Sequence, residues 1–142
     1  MNNFSERPSI LDNPHAERVK KVAALAGRSA RFKHGKILVE GPQAVRELIR
    51  HRSSFVEDVY YTLAAAQTHP DVIDDAERLC RWVHEVSDEV SEALSRDSQG
   101  ICAVARTEAI ETSLPEIQSG DTLVVIAQGR DPGNVGTIMR TA

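Results

Sequence analysis

Apolar residues recur along the first hundred positions with two alternating periods. Near the start, Val19, Val22 and Leu25 repeat at the spacing of a helix that follows Asn13 as N-cap and stops at Gly27. Short runs of β-branched and aromatic residues favour strands instead. The basic stretch 28–36 carries no period and is predicted to be a loop. The whole pattern predicts helices over 14–26 and from Pro42, Pro70 and Ser87, and strands over 37–39, 56–62, 83–86 and 100–105.

Strand and helix alternate throughout this first part of the chain. The connections are long enough for helical crossovers, which are typical of a mainly parallel sheet covered by helices on its faces. Residues 1–106 are therefore predicted to form one α/β domain with a mainly parallel sheet. Residues 107–120 combine a proline with scattered polar residues, and they are predicted to be a linker.

The last part of the chain, 121–142, has a different pattern. Leu123–Ile126 is a short apolar run typical of a buried strand, a glycine-rich turn covers 129–136, and a helix is predicted from Val135. A strand, a turn and one or two turns of helix cannot bury a core of their own. Either this part packs on the first domain, or it is the truncated start of a second domain.

Composition limits the location and the redox chemistry of the protein. Its 142 residues with 41% hydrophobic content are enough for a core. The sequence has no run of eighteen apolar residues, and its first residues lack the basic start and apolar stretch of a secretory signal. A cytoplasmic protein outside the membrane is expected. Cys80 and Cys102 lack the spacing of zinc ligands, so we expect reduced thiols and no metal site.

Charge is distributed unevenly along the chain. The net charge is −4, but residues 1–60 carry a net +4 and residues 61–142 a net −8. A basic cluster over positions 15–36, opposed only by Glu17, is a predicted contact surface for a phosphate backbone. The alternative is an ordinary solvated helix face and loop. The residues predicted to contact such a nucleic-acid backbone are Arg18, Lys21, Arg28, Arg31, Lys33 and Lys36.

The segment LVVIAQGRDPGNVGTIMRTA at 123–142 is the strongest candidate for chemistry. A strand that runs through a glycine-rich loop into a helix presents free backbone N–H groups, which can hold a phosphate or another electron-rich group. Its glycines at 129, 133 and 136 do not have the spacing of dinucleotide folds, and the lysine of a P-loop is missing. A simple strand-to-helix turn and a phosphate-ligand-binding protein that uses the Gly129–Gly136 loop both remain open.

Three segments together resemble the SpoU-type (TrmH-like) RNA ribose methyltransferases of the SPOUT superfamily. DPGNVGTIMRTA resembles their first signature, an Asn-x-Gly-x-x-x-Arg pattern that Asn134, Gly136 and Arg140 match. LVEGPQAVREL, with Glu40 and Gly41, resembles the glutamate-glycine turn of their substrate-binding domain, and SQGICAVAR resembles the closing strand of that domain. The similarity spans most of the chain from position 13 to 142.

The resemblance implies a fold and an activity for the complete protein. The fold would be a small ribosomal-protein-like (L30e/L7Ae-type) α/β sandwich, followed by the truncated start of a knotted α/β domain. The enzyme would transfer a methyl group from S-adenosylmethionine to a ribose 2′-hydroxyl of structured RNA, rRNA in preference to tRNA, and would be a homodimer. Because the knot is missing here, this chain is expected to bind RNA and to be inactive alone. The alternative is a stand-alone RNA-binding module.

The same resemblance implies roles for individual residues. The arginine that Arg140 matches is thought to act on the ribose hydroxyl, but a guanidinium stays protonated and is a poor base. We therefore expect Arg140 to position the substrate by gripping a phosphate and stabilising charge on the ribose oxygen, while Asn134 fixes the loop and the arginine. Gly133 and Gly136 would permit close approach of the backbone. Glu40 would organise the turn at Gly41 rather than take part in chemistry.

Overall fold

The computed structural model describes residues 10–111, 113 and 116–142. Contacts divide the chain into two compact units, Met1–Thr112 and Ser113–Ala142. Positions 1–9 of the predicted first domain and 112, 114 and 115 of the predicted linker lie outside the described residues. The helices and strands are α1 (Glu17–Ala23), α2 (Arg28–His34), β1 (Lys36–Glu40), α3 (Pro42–Arg52), β2 (Val56–Tyr61), α4 (Leu63–Thr68), α5 (Pro70–Leu79), β3 (Val83–Glu85), α6 (Asp88–Leu94), β4 (Ile101–Arg106) and α7 (Pro132–Thr141).

Local signals explain where several of these helices begin. Pro42 and Pro70 open α3 and α5, where a proline loses no helical hydrogen bond. The Ser87 hydroxyl caps α6 by accepting a hydrogen bond from the Val90 N–H at 3.2 Å. These three predicted helix starts are confirmed. Helix α4 was not predicted, although the Thr62 hydroxyl caps it in the same way.

The sheet is mixed, and its order is β1-β4-β2-β3. Strand β4 lies between β1 and β2 and is antiparallel to both, while only β2 and β3 pair in parallel. The prediction of a mainly parallel sheet is therefore wrong. The spacing of helices along a sequence shows that strands are joined by crossovers, but it does not show which strands become neighbours. The last strand, β4, lies in the middle of the sheet, and the two pairs that it forms are antiparallel.

Helices cover both faces of this sheet and form two apolar clusters. On one face α3 and α5 contribute Val45, Ile49 and Val72, and on the other α1 and α6 contribute Val19 and Val90. Strand β4 supplies both clusters because its side chains alternate between the faces. Ile101, Ala103 and Ala105 belong to the first cluster, and Cys102 and Val104 to the second.

The stretch predicted as a basic loop is a helix instead. Residues Arg28–His34 form α2, which ends at Gly35 in the left-handed conformation with φ 61°. Arg31, Lys33 and His34 occupy the last turn, where positive charge is favourable beside the free carbonyl groups. These two signals were present in the sequence. They were missed because α2 buries no residue and so has no apolar period.

The packed part of the first unit continues past position 106. Thr107–Ala109 forms a 3₁₀ turn, and Ala109 is buried in the cluster beneath α3. Cys102 is also buried, Cys80 is half-buried, and both thiols are free. Of the helices in the described ranges, none is long and apolar enough to span a membrane.

The second unit contains one helix and an extended segment. In its described residues, 113 and 116–142, no strand forms, and Leu123–Ile126 is exposed. The predicted buried strand is therefore wrong, because no described residue pairs with this run. Helix α7 begins at Pro132, three residues before the predicted start, since the carboxylate of Asp131 caps it.

Candidate functional site

A groove of about 700 Å³ is lined by residues of α1, α2, β1 and β2. Four of the six predicted RNA-binding side chains line it, namely Arg18 and Lys21 from α1, Lys33 from α2 and Lys36 from β1. Glu57 also lines it. The apolar side chains of the groove are Val22, Leu25 and Val104, with the aromatic ring of Tyr60.

The other two predicted RNA-binding residues lie on a different part of α2. Arg28 and Arg31 are not among the residues that line the groove, and both are exposed. Their spacing of three positions places them on one face of the helix. The basic surface therefore has two parts, a groove and an outward helix face.

Two of the six cations already have carboxylate partners. Arg18 Nη2 lies 2.7 Å from Asp58 Oδ1, and Lys36 Nζ lies 2.6 Å from Glu57 Oε2. Such pairing lowers the positive charge that these side chains offer to a ligand. The other four of the six, Lys21, Arg28, Arg31 and Lys33, are exposed and have no carboxylate at ion-pair distance among the described residues.

Arg18 belongs to a polar cluster with Asp58, Tyr60 and His84. Its Nε donates a hydrogen bond to the Tyr60 hydroxyl at 3.1 Å, and its guanidinium carbon lies 5.6 Å from the centre of that ring. The His84 ring stacks on Tyr60 with centroids 5.2 Å apart. The cluster therefore fixes the arginine between α1, β2 and β3.

One nitrogen of His84 has two different neighbours in this cluster. Its Nε2 lies 2.7 Å from Arg18 Nη2 and 2.9 Å from Asp58 Oδ1. A guanidinium only donates and a carboxylate only accepts. His84 Nε2 therefore accepts from Arg18 when it carries no hydrogen and donates to Asp58 when it does.

The electrostatics of the cluster favour a charged carboxylate beside a neutral phenol. Burial raises the pKa of Asp58, but the hydrogen bond with His84 and the charge of Arg18 lower it, and the net pKa is below its usual value. Burial, with the charge of Asp58, raises the pKa of Tyr60 to about 12. The Tyr60 hydroxyl therefore stays protonated at neutral pH.

This cluster could not be found from the sequence. Arg18 is 40 positions from Asp58 and 66 from His84, and no spacing rule connects residues so far apart. The sequence showed Arg18 as one of several basic residues. Only the pairing of β2 with β3 brings Asp58 and His84 together beneath it.

Glu40 is the last residue of β1, and Gly41 follows it at the N-cap of α3 with a φ of 91°. Ser95 Oγ donates a hydrogen bond to the carboxylate of Glu40, and the Gly41 N–H donates to the Ile101 carbonyl at 2.9 Å. The turn is thus tied to the end of α6 and to the start of β4. These contacts connect Glu40 with neighbouring backbone segments, and they give it no acid or metal partner in the described structure.

Asn134 and Arg140, the predicted catalytic residues, both lie in α7. The Asn134 N–H donates to Asp131 Oδ1 at 3.2 Å, and Arg140 Nη2 donates to Thr137 Oγ1 at 3.3 Å. Six positions along a helix leave two side chains about 120° apart around its axis. The structure therefore does not bring this pair together.

The described residues of the second unit do not fit a cofactor by themselves. Residues 116–134 and 137–142 are all exposed, so no buried polar group there faces a ligand. A Cβ at Gly133 would lie 3.1 Å from Asp131 Oδ1, and one at Gly136 would lie 3.2 Å from Arg140 Nη1. Both glycines make room for side chains of this chain. Over the described ranges, no group of three His, Cys, Asp or Glu side chains could hold a metal ion.

A protein-family model described as the MRM3-like substrate binding domain matches residues 16–103. The match begins just before α1 and ends within β4, so it contains the groove except Val104, the outward face of α2 and the Glu40–Gly41 turn. It leaves out Asn134 and Arg140. A search of curated proteins finds no match.

Solved structures of RNA methyltransferases share the fold. A crystal structure of an RNA 2′-O ribose methyltransferase is 25% identical with a TM-score of 0.67, over 94% of this chain and 51% of that one. A putative RNA methyltransferase of the TrmH family from Porphyromonas gingivalis is 22% identical with a TM-score of 0.51, over 89% and 47%. An AdoMet-bound rRNA methyltransferase from Sinorhizobium meliloti is 15% identical with a TM-score of 0.53, over 69% and 36%. The chain thus spans about half the length of these proteins, or less.

Proposed function

This chain belongs to the MRM3-like substrate-binding domain family, and from that premise we propose that it recognises structured RNA for a SpoU-type RNA methyltransferase. The observation that carries the proposal is that Lys21, Arg28, Arg31 and Lys33, in the groove and on α2, are exposed and have no carboxylate at ion-pair distance within the described ranges. Phosphate contacts supply much of the affinity for nucleic acid, and unpaired lysine and arginine side chains make such contacts.

The positive charge is spread over a wide surface, which fits structured RNA better than a small anion. RNA helices hide their base edges in a deep, narrow groove, so proteins contact phosphates, riboses and unpaired bases. The cations of α1 and α2 are spread over a groove of about 700 Å³ and an adjoining helix face. A surface of this extent offers contacts to several successive phosphates.

The salt dependence of RNA binding tests this proposal. The triple variant Arg28→Gln, Arg31→Gln, Lys33→Gln should bind a structured rRNA fragment more weakly. Its plot of log affinity against log salt should be flatter by roughly one unit for each lost phosphate contact. Arg50→Gln, Arg78→Gln, Arg96→Gln is the matched control, because these arginines already pair with carboxylates. Equal slopes for both triple variants would contradict the assignment of the surface.

The complete enzyme, in our proposal, uses S-adenosylmethionine and methylates a ribose 2′-hydroxyl, with rRNA as substrate rather than tRNA. Its support is that one solved neighbour is an RNA 2′-O ribose methyltransferase and another is an AdoMet-bound rRNA methyltransferase. Asn134 and Arg140 would act there, with Arg140 holding a phosphate and the charge on the ribose oxygen. Both are exposed and point apart in this chain, so we expect it to bind RNA without methylating it.

A methylation assay tests this second part separately. The 142-residue chain with S-adenosylmethionine and an rRNA fragment should give no methylated product, whereas a longer version that adds a complete catalytic domain should give 2′-O-methyl ribose. Product from the 142-residue chain alone would contradict our account of Asn134 and Arg140. Labelled tRNA in parallel reactions shows which RNA class is the substrate.

Three further features of the complete protein are part of the same proposal. Its first unit would be related to the L30e/L7Ae-type ribosomal proteins, which is supported by a small sheet covered by helices on both faces. The enzyme would be a homodimer in the cytoplasm. Sedimentation of the longer version measures whether it is a homodimer. Fractionation of cells that express it measures whether it is in the cytoplasm.

A further inference from the structure

Helix α2 exposes a phenylalanine in its second half. The side chain of Phe32 is 93% exposed, more than any other large hydrophobic residue in the described part of the chain. The helix has only seven residues and buries none of them. Such short helices are marginal in water. Because α2 buries no side chain, the core beneath it adds little to its stability. Its exposed face is therefore available to a partner.

The surroundings of Phe32 are positively charged. Arg28 and Phe32 are four positions apart and Arg28 and Arg31 three, so all three lie on one face of α2. The sequence from 18 to 39 contains no aspartate or glutamate. Arg28 and Arg31 have no carboxylate at ion-pair distance among the residues described. An aromatic ring is thus flanked by two arginines that offer charge to an anionic partner.

We propose that this face of α2 binds an unpaired RNA base, with the Phe32 ring stacked on the base and with Arg28 and Arg31 on the adjacent phosphates. The inference rests on the proposed RNA recognition and names the class of RNA, one with an unstacked base in a loop or bulge. Every base has a π-face, so aromatic side chains serve as stacking platforms for unpaired nucleotides. A fully paired duplex offers its phosphates but no free base.

The positive charge of Arg28 and Arg31 beside the exposed ring favours RNA over a protein as its partner. A protein interface that covers Phe32 would have to cover both guanidinium groups as well, and one ring is much smaller than the apolar patches that mark protein interfaces. Phosphates on either side of an unpaired base supply negative charge at two points. Lys33, on the neighbouring groove, extends the positive path along which the backbone would continue.

The test uses the full 142-residue chain and two RNAs with the same stem. One is a hairpin with 2-aminopurine at an unpaired loop position, and the other is a blunt duplex. Phe32→Leu should weaken hairpin binding by about 5- to 150-fold, the range expected for removal of one base–aromatic stack, and should abolish the fluorescence change of the probe. Phe32→Tyr should retain both, and duplex binding should be equal in all variants. Leu63→Ala, at a side chain 58% exposed on α4, is the control and should match the unmodified chain.

The outcomes separate this inference from the proposed function. If the unmodified chain binds neither RNA, the proposed function fails and this inference fails with it. If the chain binds the hairpin and Phe32→Leu binds it equally well, the stacking is wrong while RNA recognition stands. A lower salt slope for Phe32→Leu would also overturn stacking, because loss of an uncharged ring releases no counterion. If Phe32→Leu instead dissociates a dimer in sedimentation, the ring belongs to a contact between copies.

Discussion

Two runs of this chain are both composed of apolar residues but have different structures. Ile101–Ala105 in β4 is 0–3% exposed, whereas the side chains of Leu123–Ile126 are 38–85% exposed. Strand β4 has a paired strand on each side. The second run has none among the described residues. Composition shows that a segment is able to form a strand, but the hydrogen bonds and side-chain contacts of a strand come from its neighbours.

Helices α6 and α7, one from each unit, differ less in backbone structure than the two apolar runs do. The hydroxyl of Ser87 caps α6, and the carboxylate of Asp131 caps α7. Helix α6 buries Val90 and Leu94, while α7 buries no residue. Both segments are nonetheless helical, because a helix makes its backbone hydrogen bonds within itself. Packing is therefore the property in which the two units differ, and the following variants measure it.

The largest effect is expected for a methyl group at Gly100. A Cβ there would lie 2.6 Å from Thr62 Oγ1, which caps α4, and 2.8 Å from the Ala65 Cβ, at a φ of +81°. Gly100→Ala should lower the free energy of unfolding by about 3 kcal/mol, because overpacking adds to backbone strain. Gly120→Ala is the matched variant, with a φ of +104° and no atom within 4 Å. Urea unfolding should show a clearly smaller loss for it, and equal losses would contradict the difference in packing.

A matched pair of valines tests the two apolar runs directly. Val104 is 3% exposed in the middle of β4, and Val125 is 85% exposed in the second run. Val104→Ala should destabilise the protein by about 2 kcal/mol through lost burial and the cavity left behind. Val125→Ala should change the unfolding free energy by less than about 0.5 kcal/mol. A loss above 1 kcal/mol for Val125→Ala would show that the run is packed in solution.

The helix caps should give a smaller effect that appears in different measurements. Ser87→Ala should lower the unfolding free energy by about 1 kcal/mol, the usual cost of a lost N-cap, because α6 is part of the core. Asp131→Ala should reduce helical circular dichroism and leave the unfolding midpoint unchanged, because α7 buries nothing. A shifted midpoint for Asp131→Ala would mean that α7 contributes to the stability of the packed unit.

The smallest effect is expected at Asp58, and it depends on pH. Its pKa is lower in the folded protein than its ordinary value near 4. A lowered folded pKa adds stability that is complete above that ordinary value and is lost as pH falls through the folded pKa. Asp58→Asn should therefore cost on the order of 0.5 kcal/mol at pH 7 and progressively less below pH 4 or so. Thermal unfolding from pH 7 to 3 measures the difference, and a gap that persists in acid would contradict the role of the charge.

Much of the first unit was predictable from its sequence. The resemblance to SpoU-type methyltransferases, drawn from three segments, is confirmed by the family match and by the solved neighbours. Helix starts at Pro42, Pro70 and Ser87 were correct because their signals are local. The direction of β4 was not predictable, since strand order depends on contacts between distant segments.

The candidate site was predictable only in part. Composition identified the basic residues of 18–36, because clustered charge is visible in a sequence. It could not show that Arg18 and Lys36 are paired with Asp58 and Glu57, which lie on β2. The exposure of Phe32 was also hidden, because a phenylalanine in a sequence is ordinarily assigned to a core.

The central position of β4 also affects how the protein folds during its synthesis. Strands β1 and β2 both pair with β4 and not with each other, so neither obtains its antiparallel partner until the ribosome has made residues 101–106. At about 5–20 residues per second, β1 waits for several seconds with its backbone groups unpaired. Such non-local pairing slows folding, and the unpaired strand edges are prone to aggregation in that interval.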